Sequence, residues 1–177
     1  MKRITYYVAV SIDGFICGEN EDISMFSAEG NGVEKYLDDL KDFDTVIMGR
    51  KTYEFGYKYG MKPGELAYPH MNHYIFSSSL SLATPHKKIR ICKPQLEIIK
   101  ELKSGNGSDI YLCGGGEFAG WLLDNEFIDI LKIKLNPILI GSGTSLFGDT
   151  TKSCKLQLIS SEKYDHGLQI IEYRILY

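Results

Sequence analysis

Short runs of apolar residues, many of them β-branched or aromatic, recur along the chain and predict strands. Most of these runs end at glycine, serine or proline, the residues that favour turns. The predicted strands comprise residues 4–10, 45–48, 73–76, 89–92, 109–113 and 127–135. Two later runs, residues 156–160 and 168–176, flank an Asp-His-Gly turn and predict a closing antiparallel hairpin.

Between these strands, apolar residues at helical spacing predict amphipathic helices. One such stripe comprises Val33, Tyr36, Leu37 and Leu40. The acidic residues of that segment fall outside the stripe, so we expect them to form a solvated face; they are Glu34, Asp38 and Asp39. Further helices are predicted within residues 49–55, at residues 95–102, and after Gly116, where the inward face is Phe118, Ala119, Leu122 and Leu123.

Strands and helices alternate through the middle of the chain. Such alternation is typical of parallel strands joined by helices that cover both faces of a sheet. With the terminal hairpin added, the sequence predicts an α/β fold: a three-layer sandwich around a mixed, mostly parallel sheet, in a single domain spanning residues 1–177. Residues 14–32 are polar and glycine-rich, and compact domains seldom keep a loop of that length without a use for it.

The charge balance and the cysteines indicate which partners the protein lacks and in which compartment it is found. Lysine and arginine total 20 against 23 aspartate and glutamate, so the chain lacks the positive excess that binds a nucleic-acid backbone. The four cysteines have no C-x-x-C spacing, as in reduced cytoplasmic proteins. No apolar stretch approaches the ~18 residues of a membrane span. We therefore expect a cytoplasmic protein with no nucleic-acid or membrane partner.

Three predicted strands run directly into turns whose residues suit a phosphate. Gly114-Gly115-Gly116 precedes a helix, so its backbone and the free N–H groups of the helix start can approach an anion closely. Gly49-Arg50-Lys51-Thr52 adds two cations and a hydroxyl, and Ser77-Ser78-Ser79 adds three hydroxyls. Each turn alone is also compatible with a tight turn, a solvated helix start or a capped turn. Because ligands of open α/β sheets bind beyond the carboxyl ends of the strands, the three together predict one shared site.

Five segments carry a resemblance to a known family, and they occur in that family's order. They comprise residues 8–14, 46–54, 75–78, 110–116 and 136–143. The chain resembles the dihydrofolate reductase-like superfamily over nearly its whole length. The Ser-x-Asp-Gly turn and the Asn-Pro-x-x-x-Gly segment are most similar to the branch related to the C-terminal reductase domain of RibD, the bifunctional riboflavin-biosynthesis enzyme.

The resemblance implies an NADPH-binding fold. In such proteins the turn matching residues 49–52 holds the phosphate bridge and part of the adenosine 2'-phosphate, and the segment matching residues 77–79 helps bind the adenosine half. The glycine pair matching residues 114–115, often joined by a cis peptide, lies beside the pyrophosphate and the nicotinamide ribose. The implied cofactor-binding residues are Ala9, Gly49, Arg50, Lys51, Thr52, Ser77, Ser78, Ser79, Gly114, Gly115, Gly116, Glu117 and Phe118.

The resemblance also implies a reductase of a small heteroaromatic substrate, of pterin, dihydrofolate, aminopyrimidine or riboflavin-pathway type. Asp13 is the candidate catalytic residue, either as a substrate partner or proton relay or, alternatively, as the cap of its own turn. The first helix lacks the buried carboxylate of dihydrofolate reductases, and Met25-Phe26 occupies the region where riboflavin reductases carry Trp and Arg. The alternative function is an NADP(H)-binding module without catalytic activity.

Two further expectations concern metals and assembly. His70 and His73 have a conceivable metal spacing, but no third ligand is visible, so we expect solvent-exposed loop histidines and no metal. The terminal strand, residues 168–176, is largely apolar on both faces. A solvated edge strand would alternate apolar with polar residues, so this pattern predicts a homodimer; a helix of the same chain is the other possible cover.

Overall fold

The structure is a computed structural model that describes residues 1–177. Its ten strands, in chain order, are β1 (Ile4–Ser11), β2 (Phe15–Cys17), β3 (Thr45–Gly49), β4 (Asn72–Phe76), β5 (Ile89–Cys92), β6 (Ile110–Gly114), β7 (Ile130–Asn136), β8 (Thr144–Ser145), β9 (Lys155–Lys163) and β10 (Gln169–Leu176). The helices are α1 (Asn31–Asp39), α2 (Arg50–Phe55), α3 (Leu96–Ser104) and α4 (Gly116–Asp124). None of them has the length and apolar character needed to cross a membrane.

Eight strands form one sheet in the order β5-β4-β3-β6-β1-β7-β10-β9. The six strands from β5 to β7 are parallel, and β10 runs antiparallel to both of its neighbours. The predicted mixed, mostly parallel sheet with a C-terminal antiparallel hairpin is therefore confirmed. The short strands β2 and β8 pair separately, within and opposite the long polar segment that the sequence predicts as a loop.

Alternating residues of the strands enter two hydrophobic cores, one on each face of the sheet. On one face, Tyr6 and Leu112 pack with residues of α3 and α4, such as Ile99 and Leu122. On the other, strand residues pack beneath α1 and α2; this core includes Tyr7, Leu40, Val46, Met48, Tyr53 and Tyr111. Because side chains alternate across a strand, neighbouring tyrosines 6 and 7 enter opposite cores, which produces the predicted three layers.

The buried face of α1 is rotated from the predicted stripe. Leu37, predicted to be buried, is 55% exposed, whereas Gly32 is buried. A Cβ on Gly32 would lie 2.5 Å from the Leu168 side chain, so this glycine lets α1 approach the chain at the start of β10. Glycine has no apolar side chain, so apolar periodicity cannot show that Gly32 lies at a contact. The predicted apolar face of α1 is therefore about one residue away from the face that is buried.

Two polar residues are also more buried than the sequence predicts. Asp39, assigned to a solvated face with Glu34 and Asp38, is instead half-buried: it accepts a hydrogen bond from Tyr7 Oη (3.1 Å) and pairs with Lys132 (2.9 Å). His73, expected in an exposed loop, is fully buried on β4. Hydrogen bonds satisfy the polar atoms in both cases. Asp39 obtains partners from β1 and β7, whereas the partners of His73 are the backbone groups of Tyr68 and Met71, which are near it in sequence.

Candidate functional site

Five adjacent parallel strands carry the predicted site residues to one edge of the sheet. The register pairs Met48 with Gly114, Gly49 with Phe76, and Ser11 with Asn136. The carboxyl ends of β1, β3, β4, β6 and β7 therefore coincide, and the turns that follow them meet. This is the location at which open parallel sheets bind ligands.

Side chains connect the three predicted phosphate turns. Arg50 Nη1 donates a hydrogen bond to Ser79 Oγ (3.1 Å), and Lys51 Nζ lies 3.2 Å from Glu117 Oε1. A Cβ on Gly115 would lie 3.0 Å from Thr52 Oγ1. The charged members of these pairs are exposed, so their mutual attraction is weak and a phosphate can replace it.

The glycine turn has a backbone conformation that depends on glycine. Gly114 has φ +135°, which residues with a Cβ rarely adopt, and the Gly114–Gly115 peptide bond is cis, as the resemblance implies. No side chain caps the start of α4, so the first N–H groups of that helix are free to bind a ligand. Beyond the turn, Gly120 on α4 leaves room for the Phe147 carbonyl oxygen, which a Cβ would strike.

The structure places the remaining predicted cofactor residues at or beside the same strand ends. Ser77 Oγ accepts hydrogen bonds from the N–H groups of Ser79 (3.1 Å) and Leu80 (2.9 Å), so it caps its own turn. Ser78 is exposed beside it. Phe118 stacks against Phe76, with ring centroids 4.9 Å apart. Ala9 and Gly49 lie within the last residues of β1 and β3, and Gly116 opens α4.

Asp13 connects the turn after β1 to the loop after β7. Its Oδ1 accepts a hydrogen bond from Ser11 Oγ (2.6 Å), and its Oδ2 accepts from the N–H groups of Gly141 (2.7 Å) and Ile140 (3.0 Å). The Ser11 hydroxyl and the Gly141 N–H stabilise the ionised carboxylate and lower the pKa of Asp13. A carboxylate with a lowered pKa is a poor proton donor. The N–H groups that Asp13 binds belong to the loop after β7, whereas the Ser11 hydroxyl accepts a hydrogen bond from the N–H of Phe15 within the turn itself.

A cluster of polar side chains on the α1 face was not predicted. Tyr36 Oη and Tyr111 Oη share a hydrogen bond (2.7 Å), and Tyr68 Oη lies 3.4 Å from Cys113 Sγ. Burial raises the pKa of each of these four groups, so all are protonated at neutral pH. The fifth member, Lys134, is only 7% exposed. One feature of the sequence could have indicated this lysine: Lys132 and Lys134 alternate along β7. An internal parallel strand is expected to be apolar on both faces, so two lysines there are unusual.

A separate cavity of about 500 Å³ opens at the opposite edge of the sheet. Lys2, Asp44 and Asn72, at or before the amino ends of their strands, line it together with Arg90 and Glu101. The predicted phosphate turns lie at the carboxyl ends, a strand length away. Their chemistry, rather than cavity size, identifies the candidate site.

The fold and the meeting turns define a class of protein: chains with the dihydrofolate reductase-like fold. The structure is similar to the dihydrofolate reductase from Enterococcus faecalis complexed with NADP(H), with a TM-score of 0.66, 15% identity, and coverage of 98% of this chain and 96% of the other. It is also similar to a putative riboflavin biosynthesis protein from Shewanella sp. PV-4, with a TM-score of 0.80, 22% identity and complete coverage of both chains.

The sequence comparisons then place the chain within that class. The model of the RibD C-terminal domain family matches residues 2–170. The uncharacterized protein YwjB of Bacillus subtilis (strain 168) is 30% identical over 172 residues, which cover 96% of each protein. The chain belongs to the RibD C-terminal domain family, and the family resemblance seen in its motifs is confirmed.

Proposed function

We propose that this protein is an NADPH-dependent reductase that transfers a hydride to a small heteroaromatic substrate. The observation that carries the proposal is the meeting of three phosphate-suited turns at one sheet edge, connected by the Arg50–Ser79 and Thr52–Gly115 contacts. Family membership supports it, because the domain is named for a riboflavin-biosynthesis protein and the fold is shared with a dihydrofolate reductase that binds NADP(H).

The residues present fit this cofactor. Arg50 and Lys51 supply positive charge for the adenosine 2'-phosphate and the phosphate bridge, and the serines at 77–79 supply hydroxyls for the adenosine half. The uncapped start of α4, with Gly114–Phe118, suits the pyrophosphate. Ala9 has a small side chain that leaves room for the nicotinamide ring. When bound, NADPH supplies the hydride.

Within the proposed site, Asp13 acts as a positioning residue. Its carboxylate holds the backbone of residues 140–141 against the turn after β1. The turn after β1 lies next to Ala9, where we propose that the substrate and the nicotinamide meet. Fixing two loops in this way restricts the geometry of the reacting groups, which is the main contribution a protein makes to direct hydride transfer.

A second candidate function is cofactor binding without catalysis. It is favoured by one observation: Asp39, the most buried carboxylate of α1, is neutralised by Lys35 and Lys132 and is not free to orient a pterin. Incubation with NADPH and a panel of pterins, flavin precursors, quinones and nitroaromatics separates the two functions. Consumption of NADPH with any of them supports the reductase; tight NADPH binding without consumption by any supports the binding module.

We also propose that the protein is a cytoplasmic homodimer. All four cysteines are free, in keeping with a reducing compartment. On the side of the sheet opposite β5, the edge strand is β9 rather than β10, and its Leu156, Leu158 and Ile159 are exposed. An exposed apolar edge strand invites pairing with another chain, and a second copy would cover it with one self-complementary patch.

A further inference from the structure

Lys134 is a buried ammonium group without a carboxylate partner. Its Nζ lies 3.5 Å from the Ser27 carbonyl oxygen and 5.1 Å from the centroid of the Tyr36 ring, and no carboxylate oxygen lies within 4.0 Å. Lys132, two residues earlier on the same face, pairs instead with Asp39 (2.9 Å) and Glu172 (3.7 Å). Burial alone lowers the pKa of Lys134.

The position of Lys134 places it at the substrate end of the candidate site. In the register of the sheet it stands between Ala9 on β1 and Ile170 on β10, two residues before the carboxyl end of β7. Both flanking side chains are apolar. The Ser27 segment covers this region, anchored by a hydrogen bond from its N–H to Asn136 Oδ1 (3.0 Å).

Stability does not account for a charge at this position. A buried, unpaired ammonium costs free energy, and an apolar side chain of similar volume would avoid that cost. Asp39, the half-buried carboxylate of α1, is already bound by two other lysines. Buried polar groups that destabilise a fold are typical of functional sites, because a bound ligand supplies the missing hydrogen-bond or charge partner.

We propose that Lys134 binds the substrate through an anionic or strongly electron-rich oxygen. The site would then select a planar ring whose carbonyl, enolate or carboxylate oxygen faces α1, whereas a carboxylate in that place would select an amino-substituted, protonatable ring. The proposal rests on the proposed function for the identity of the region around Lys134 as a substrate site. Binding of the oxygen itself needs no cofactor.

Three pyrimidines of similar size test the charge preference: orotate, which is anionic, uracil, which is neutral, and 2,4-diaminopyrimidine, which is protonatable. Calorimetric titration of the cofactor-free protein should show orotate binding at least about tenfold more tightly than 2,4-diaminopyrimidine, since a charge-assisted hydrogen bond is involved. Lys134→Met and Lys134→Gln should abolish that preference, and Lys134→Arg should keep it. The control is Lys163→Met, which removes an exposed lysine from β9 and should change nothing.

Thermal unfolding of the same variants completes the test. Lys134→Met should have an unchanged or higher Tm, because an unpaired buried charge is removed. The proposal is overturned if the wild-type protein shows no preference for orotate, or if Lys134→Met and Lys134→Gln retain it. If the wild-type protein binds orotate through Lys134 but fails to bind NADPH, the proposed reductase function falls and the assignment of Lys134 stands.

Discussion

At the residue scale, Asp13 owes its importance to the backbone groups it binds. Asp13→Asn replaces one acceptor oxygen by a donor that faces the N–H groups of Ile140 or Gly141. We expect a lower Tm at neutral pH and a modest loss of turnover, with NADPH affinity nearly intact. Denaturation and steady-state kinetics of the variant measure both. A fall in turnover by about 10² to 10⁴ with an unchanged Tm would instead assign general acid–base catalysis to Asp13.

His73 makes the stability of the fold depend on pH. Its Nε2 accepts a hydrogen bond from the Tyr68 N–H (3.2 Å), so its protonated Nδ1 donates to the Met71 carbonyl (3.1 Å). Burial of this neutral ring lowers the pKa of His73 to about 4. The unfolded chain takes up a proton at about pH 6.5, so the free energy of unfolding should fall by up to about 3 kcal/mol as the pH drops from about 6.5 to about 4.

Urea denaturation across that pH range checks this prediction. His73→Gln cannot take up a proton and should show a shallower loss of stability than the wild-type protein. His166→Asn, in an exposed turn with φ +58° that asparagine tolerates, should keep the wild-type pH profile. Identical profiles for His73→Gln and the wild-type protein would contradict the assignment.

The side chains that the sequence identified and those it missed differ in how they obtain their partners. Some site residues belong to short continuous turns, and these are Arg50, Thr52 and the glycines at 114–116. Their suitability for a phosphate can therefore be recognised from the sequence of the turn alone. Lys134 lies against Tyr36, which is far away in sequence. His73 has partners only five and two residues away, Tyr68 and Met71, but a turn must bring them to its ring. Only the folded chain shows whether such a residue is paired, and for that reason burial of an isolated polar residue is not predictable from its neighbours.

At the element scale, helix α4 is shaped by a glycine contact. Gly120→Ala should improve helix propensity but force the Phe147 carbonyl away from the helix, so we expect a net destabilisation of about 1–3 kcal/mol. Gly105→Ala is the matched control, because its nearest non-neighbouring atom lies 3.5 Å from the added Cβ and its φ is -70°. Equal stability of the two variants in denaturant would show that residues 144–148 are not held against α4.

Most helices and strands were predictable from the sequence. The features that were not predicted all depend on contacts with other parts of the chain. Strong apolar periodicity located every strand of the main sheet and all four helices. Strands β2 and β8 were missed because each has only two or three residues and is defined by its pairing with the other. The buried face of α1 was misplaced because Gly32, not a large apolar side chain, makes the closest approach.

At the scale of the whole molecule, the exposed edge strand predicts association. A dimer through β9 should bury on the order of 1,600 Å² and have a mass twice the 20.0 kDa of one chain. Leu158→Lys, on the solvent-exposed side of β9, should shift the protein to monomer without lowering its helix content, and Lys163→Met should not. Light scattering at micromolar concentration settles the matter: a wild-type mass near that of one chain would exclude the dimer.

The sequence predicts that the apolar residues of the terminal strand need cover, from a second copy or from a helix of the same chain. The terminal strand β10 lies between β7 and β9 and is not an edge strand. Its Ile170 and Ile175 are buried, whereas Leu176 is 43% exposed. Strand order depends on long-range pairing, which local patterns do not encode. The exposed edge strand is therefore β9. Its sequence includes several polar residues, and for that reason the sequence did not indicate a strand in need of a partner.

Nucleotide selectivity tests the central claim, which is that the carboxyl edge of the sheet binds NADPH. At a hundred times its dissociation constant, NADPH should stabilise the wild-type protein by about 2.7 kcal/mol. That stabilisation corresponds to a rise in Tm of roughly 5–10 °C for a chain of this size. NADH should give a clearly smaller shift, because it lacks the 2'-phosphate that Arg50 and Lys51 can neutralise.

The decisive comparison is Arg50→Ala against Arg90→Ala, which removes an exposed arginine on β5 that stacks on Tyr74 away from the phosphate turns. We expect Arg50→Ala to weaken NADPH binding about tenfold or more while leaving NADH binding nearly unchanged, and Arg90→Ala to affect neither. Equal shifts of the wild-type Tm with NADPH and NADH, or no shift with either, would contradict the account.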